Sequence, residues 1–152
     1  MTERWPLIRL TPNEILAGLT AALEAEEQAA ADYHAHAQAT SQTSIREALE
    51  TLRDVEREHA LRLAQRITVL GGRPVSLAPK SRPTGDTLAD RLALDLQVEQ
   101  WAIVEYARLV AGTVDDDETA GLMAELLWDE IKHARWLKST LQAYERKAGS
   151  SE

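Results

Sequence analysis

Four stretches of this chain carry apolar residues at the three-and-four spacing of an α-helix, and each is broken near its middle by a glutamate. The first runs Ile15, Leu19, Leu23, Glu26, Ala30, Tyr33, Ala37, and the second Leu49, Leu52, Glu56, His59, Leu63, Ile67, Leu70. The third runs Leu88, Leu92, Leu96, Glu99, Ile103, Tyr106, Val110, and the fourth Met123, Leu127, Glu130, His133, Leu137, Leu141. An ionised carboxylate alone in an apolar core costs many kcal/mol, so four converging ones must be protonated, paired with cations or bound to metal. Lysine and arginine are absent from all four stripes. Divalent cations are then the natural counter-charge: four carboxylates neutralise two such ions, and His59 and His133 add nitrogen ligands.

The punctuation between the stripes sets the topology. Thr11-Pro12-Asn13-Glu14 reads as a capped helix start, with proline at the first helical position, and this helix extends to about Thr40. A polar turn leads to Ser44-Ile45-Arg46-Glu47, a second capping-box pattern, and the next helix runs to a left-handed stop at Gly71-Gly72. The segment 71–86 holds three of the five prolines and forms a long connection able to span a bundle. A third helix starts near Asp86 or Thr87 and ends near Gly112, and a fourth starts within Asp115-Asp116-Asp117 and runs to about Lys147. Two short-loop helix pairs joined by one long crossover predict a four-helix bundle with a single crossover, all-α, as one domain over 1–152 with its core at about 11–147. Twenty-four alanines and 21 leucines agree with helix and disfavour a β-sandwich.

The halves of the chain repeat one another. Glu26 to Glu99 and Tyr33 to Tyr106 are both 73 residues, and Glu56 to Glu130 and His59 to His133 are both 74. Each half supplies one helix with Glu and a Tyr seven residues on, and one with Glu-x-x-His, whose spacing puts both side chains on one helix face. Two such halves about a pseudo-two-fold axis put two metals symmetrically between them. The metal-ligand candidates are Glu26, Glu56, His59, Glu99, Glu130 and His133. Tyr33 and Tyr106 read either as core residues with a satisfied hydroxyl, or as hydrogen-bond partners of ligand carboxylates or electron donors. His34 and His36 lie about 80° to either side of the Glu26 face at 100° per residue, and are expected at the surface. Glu24, Glu27, Glu58 and Glu125 are expected on solvated faces, Asp95 is the one extra acid near the site, and Trp101, Trp128 and Trp136 are expected in packing or interfaces.

The absence of cysteine excludes disulfides, thiolate metal sites and a cysteine nucleophile, so any metal site uses oxygen and nitrogen only. A net charge of −8 without a basic run argues against nucleic acid or an anionic membrane as a partner. No apolar stretch is long enough for a membrane span and the start lacks a signal-like apolar region, so the cytoplasm is the expected location.

The ligand pattern, together with Arg66-Ile67-Thr68-Val69-Leu70-Gly71-Gly72-Arg73-Pro74 and Asp129-Glu130-Ile131-Lys132-His133-Ala134-Arg135-Trp136-Leu137, resembles the di-iron carboxylate proteins of the ferritin-like superfamily, and within it the bacterioferritin-like group. The resemblance extends from about Asn13 to Tyr144. It implies Glu26 and Glu99 as terminal carboxylates, Glu56 and Glu130 as bridging carboxylates, and one histidine per iron, with Tyr33 beside the site. Haem-binding members have a methionine directly after the helix-2 glutamate; Arg57 stands there, so no haem is expected. Cage-forming members usually have a short fifth helix, whereas only 19 residues follow His133, so a 24-subunit shell is not expected; the family analogy implies a homodimer. Without cysteines, and without a Glu-x-x-Glu around Glu99, the pattern favours a ferroxidase-type site over that of a rubrerythrin peroxidase.

The function these readings imply is oxidation of Fe²⁺ by O₂ or H₂O₂ at two iron ions, with manganese or zinc also suited to mixed oxygen and imidazole ligands. The alternatives are a di-iron oxidase or oxygenase acting on an organic substrate, with a channel beneath the 71–86 crossover, or a bundle in which the metal only holds the helices together. The apolar Trp5-Pro6-Leu7-Ile8 is expected to pack on the bundle or on a neighbour.

Overall fold

The computed structural model describes residues 8–75, 78–80 and 85–149. It contains four helices and, among the described residues, no strand: α1 (Pro12–Ala39), α2 (Thr43–Val69), α3 (Leu88–Gly112) and α4 (Asp117–Gly149). The predicted all-α bundle of two helix pairs is what forms. α1 packs chiefly on α2 and α3 on α4; α1 also touches α3, and the α2–α4 seam is the most open.

Local chemistry explains most of the helix ends. Thr11 accepts from the Glu14 amide at 3.2 Å while the Glu14 carboxylate accepts from the Thr11 amide at 2.7 Å, the reciprocal capping box expected there. Thr87 and Asp90 repeat the device at α3. At the end of α2, Gly71 takes φ +86°, and the Gly72 and Gly71 amides donate to the Ile67 and Thr68 carbonyls. This pair of bonds is the Schellman stop, and the positive φ is why glycine is needed. Asp116 precedes α4 and accepts from the Thr119 amide at 3.0 Å.

The start of α2 departs from expectation. The helix begins at Thr43 after Gln42, with no side-chain cap, so Ser44 lies already inside the first turn and its predicted box with Glu47 does not form. Arg46 ties the turn instead, donating to the Thr40 carbonyl at 2.8 Å.

The starts of α1 and α4 share one end of the bundle with the last turns of α2 and α3: the Leu10 amide donates to the Gly112 carbonyl, and Arg66 reaches Asp116, Glu118 and Thr119. The chain after Gly72 must therefore travel the length of the bundle before α3 begins. On the way it is held to α1, where the Gln28 side chain donates to the Lys80 carbonyl at 3.0 Å and accepts from its amide at 2.8 Å. Residues 76–77 and 81–84 of this crossover, and Trp5 to Leu7 ahead of α1, lie outside the described residues; Ile8 is 70% exposed.

The apolar interior is in two parts. One cluster gathers Leu19, Leu23, Leu63, Ile67, Leu109, Met123 and Leu126; the other gathers Ala37, Leu49, Leu52, Leu88, Leu92 and Leu137. Leu109 and Leu126 are fully enclosed, whereas the neighbouring stripe residues Val110 and Leu127 are only partly buried. Gly18 permits the close approach of α1 to α3, since a Cβ there would stand 2.5 Å from Leu109 Cδ2.

Candidate metal centre

The mid-helix acids lie in a polar layer within this interior. Glu26 of α1, Glu56 and His59 of α2, Glu99 of α3, and Glu130 and His133 of α4 are all buried. The structure thus brings all six predicted ligands together. They fall into two sets whose ligand atoms lie within 4.8 Å of one another: Glu26, Glu56, His59 and Glu130, and Glu56, Glu99, Glu130 and His133. Glu56 and Glu130 belong to both.

His59 Nδ1 faces Glu130 at 2.9 Å, and Glu26 and Glu56 each at 3.6 Å. His133 Nδ1 faces Glu56 at 2.9 Å, and Glu99 and Glu130 each at 3.5 Å. The two imidazoles lie nearly parallel, their centroids 6.3 Å apart. Although these atoms are close, both Glu56 oxygens, Glu130 Oε1 and the two Nδ1 atoms are buried with no hydrogen bond of proper geometry. Buried polar atoms are normally satisfied, and a converging set of acceptors and imidazole nitrogens without partners fits divalent cations.

The electrostatics agree. Burial, followed by the Glu26 charge, pushes the Glu130 carboxyl up to about 8 and Glu56 well above the usual carboxylate range. For both imidazoles burial favours the neutral ring, but the surrounding glutamates, Glu130 foremost, outweigh it and raise the pKa. For Glu99 burial is likewise outweighed, by hydrogen bonding from Glu130 and His133, and its carboxyl is lowered. Without metal, Glu56, Glu130 and the two imidazoles retain protons, which dilutes the repulsion among the carboxylates.

The two tyrosines cross the pseudo-symmetry. Tyr33 of the first half donates to Glu99 of the second, and Tyr106 of the second half donates to Glu26 of the first. Two of the readings left open for them hold together: each tyrosine is a buried member of an apolar cluster, and its hydroxyl donates to a candidate ligand carboxylate. Burial, then the adjacent Glu99 for Tyr33 and Glu26 for Tyr106, raises both phenols, keeping them as neutral donors.

A ferritin-like domain model matches residues 16–147. The chain belongs to the ferritin-like family. Among solved structures, this ferritin-like chain is similar to a dodecameric thioferritin, the bacterioferritin-related protein of Bacteroides fragilis, at 24% identity over 93% of this chain and 92% of that one, with a TM-score of 0.85. It is also similar to Mycobacterium tuberculosis bacterioferritin BfrA, at 22% identity over 91% and 89% of the two chains, TM-score 0.82. A third is Rhodobacter capsulatus bacterioferritin, described with a metal-free dinuclear site and haem iron, at 22% identity over 91% and 89%, TM-score 0.81. No curated protein matches the chain.

Three features of this ferritin-like site escaped the sequence. His36 is not a surface residue: it is fully buried, and its Nδ1 lies 2.7 Å from Asp95 Oδ2 across the α1–α3 contact. α1 packs against both α2 and α3, so its buried arc is wider than one apolar stripe and takes in Ala22, Ala29, Asp32 and His36. The i, i+4 pair Asp32 and His36 beside small alanines was the available signal. Burial pushes the Asp95 carboxyl up to about 6 against the pull of His36. Asp129 is the second feature: its Oδ2 is 3.0 Å from His59 Nε2, while Lys132 Nζ holds Oδ1 at 2.7 Å. The third is a cleft of about 440 Å³ in the open α2–α4 seam, lined by Thr51, Asp54, Val55, His59, Arg62 and Asp129, which leads from solvent to the outer edge of His59. His34, Glu24, Glu58 and Glu125 are exposed as expected, whereas Glu27 is half-buried. Trp101 and Trp128 are 44% and 56% exposed, and Trp136 packs partly against the second apolar cluster. No described helix is long and apolar enough to cross a membrane.

Proposed function

We propose that the chain binds two divalent iron ions between its halves and oxidises Fe²⁺ with O₂ or H₂O₂. The observation that carries this reading is the sharing of Glu56 and Glu130 by both candidate ligand sets. Two carboxylates common to both positions are the means of holding a metal pair close enough for one oxidant molecule to take an electron from each ion. With peroxide the balance is simple: two Fe²⁺ lose one electron each, and H₂O₂ takes up two electrons and two protons to leave two waters.

In this reading Glu26 with His59 and Glu99 with His133 complete the two positions. Four carboxylates offset the four positive charges of the incoming ions, which suits a buried site. Tyr106 and Tyr33 orient the terminal carboxylates by donating to Glu26 and Glu99. The acid-lined cleft in the α2–α4 seam suits cation access. Manganese or zinc fits the same donors. The reading includes no haem: Arg57 is mostly exposed, with its guanidinium 3.8 Å from Asp54.

Stopped-flow mixing of Fe²⁺-loaded protein with each oxidant tests the proposal. Ferric absorbance should grow in with wild-type protein and be lost in Glu56→Ala. Equal ferric growth in both proteins, or none in either, overturns it. The proposed location is the cytoplasm and the proposed assembly a homodimer. Light scattering separates that from a dodecamer such as the Bacteroides fragilis relative forms.

A further inference from the structure

The sequence repeat that builds the centre is broken at one place that bears on metal binding. In the second half, the residue immediately before Glu130 is Asp129, and its carboxylate lies 3.0 Å from His59 Nε2. In the first half, the residue immediately before Glu56 is Val55, which can neither donate nor accept from its side chain. The close carboxylate contacts of His133 among the described residues all run through its Nδ1, which faces the shared glutamates just as His59 Nδ1 does. The two imidazoles therefore present the same nitrogen inward, but only one has a carboxylate on its outer nitrogen. Asp129 is itself fixed by Lys132 at 2.7 Å.

A carboxylate on the outer N–H of a ligating histidine fixes the tautomer, locks the ring and makes the inner nitrogen a better donor; losing such a partner typically costs about 10- to 100-fold in metal affinity. We infer that the two positions are unequal: the Glu26–His59 position is the tight one and fills first, the Glu99–His133 position is the exchangeable one, and Asp129 is the positioning residue that sets the difference. This rests on the dinuclear reading above. In a chain that handles iron, it would separate a resident ion from one that turns over.

Mn²⁺ alone serves as the probe, added anaerobically to metal-depleted wild-type protein and followed by calorimetry and electron paramagnetic resonance. Two ions should bind in resolved steps differing by about 10-fold or more. The first equivalent should give the six-line spectrum of isolated Mn²⁺, and the second a spin-coupled spectrum. Anomalous diffraction from crystals grown at one equivalent should show the ion between Glu26 and His59. Asp129→Ala should weaken the first step and leave the second nearly unchanged. Val55→Asp, which alters only a half-buried position, should tighten the second step toward the first. Two equal steps, coupled spectra from the first addition, first occupancy beside His133, or an equal effect of Asp129→Ala on both steps overturns the inference while leaving the dinuclear reading intact. Failure to bind two ions overturns both.

Discussion

Tyr33 and Tyr106 each spend their one hydroxyl proton on a carboxylate from the opposite half of the chain, so neither half can set its terminal glutamate alone. Removing that donor should disturb the site without emptying it: Tyr33→Phe is expected to retain two-metal binding and slow iron oxidation by roughly 10-fold, within the range of lost ligand-orienting contacts. Stopped-flow rates at saturating metal check this. His36 and Asp95 make a second prediction. Removing one member of a buried hydrogen-bonded pair leaves the other unsatisfied, at about 1–3 kcal/mol, whereas replacing both with apolar residues can be nearly neutral. Urea unfolding of His36→Ala should show the large loss, and the double variant His36→Leu, Asp95→Leu should recover most of it. At this scale the candidate ligands were legible because each set breaks an apolar stripe with a charge. His36 was not, because its burial depends on α3 covering one flank of α1, a fact about packing that a single helix's periodicity does not contain.

Among the elements, the best-read features were those whose cause is local. The Thr11 box, the helix start near Thr87 and the Gly71 stop each arise from a few adjacent residues, and all three form. The Ser44 box failed because Thr43 joins the helix, one residue of register being enough to remove the hydroxyl from the cap position. At the start of α4, Asp116 does two jobs: it caps the Thr119 amide and takes two hydrogen bonds from Arg66 Nη2 of α2, at 2.8 and 2.9 Å, closing the end of an otherwise open seam. Although partial burial opposes ionisation, the bonds from Thr119 and Arg66 hold its carboxyl down at about 2, from an ordinary 3.8. Between those values the folded chain binds fewer protons than the unfolded one, so this contribution grows as pH rises toward about 4 and is flat above. Asp116→Ala should cost about 1 kcal/mol at neutral pH, as a lost helix cap does, and the difference from wild type should shrink as pH falls from about 4 through about 2. Denaturant titrations at a series of pH values measure it.

For the whole molecule, the repeat predicted the symmetry but not its exceptions. Offsets of 73 and 74 residues are visible in the letters, whereas the crossed tyrosines, the carboxylate behind only one imidazole and the loose α2–α4 seam follow from how the helix pairs dock. The protons retained by Glu56, Glu130 and the histidines must leave when metal arrives, so uptake should release protons and strengthen as pH rises through about 8 at Glu130. Calorimetry in buffers of different ionisation enthalpy counts them. Metal held at 100 times its dissociation constant should add about 2.7 kcal/mol to folding stability and raise the melting temperature, and a chelator should reverse it. The two apolar clusters bear on that reversibility. Each helix is gripped by hydrocarbon above and below the charged waist, so the donors are held in register by contacts that owe nothing to the ions. On the proposed reading, metal can then be taken up and lost with little rearrangement of the candidate ligands, in contrast to a small domain that collapses around its metal and loses its shape on giving it up.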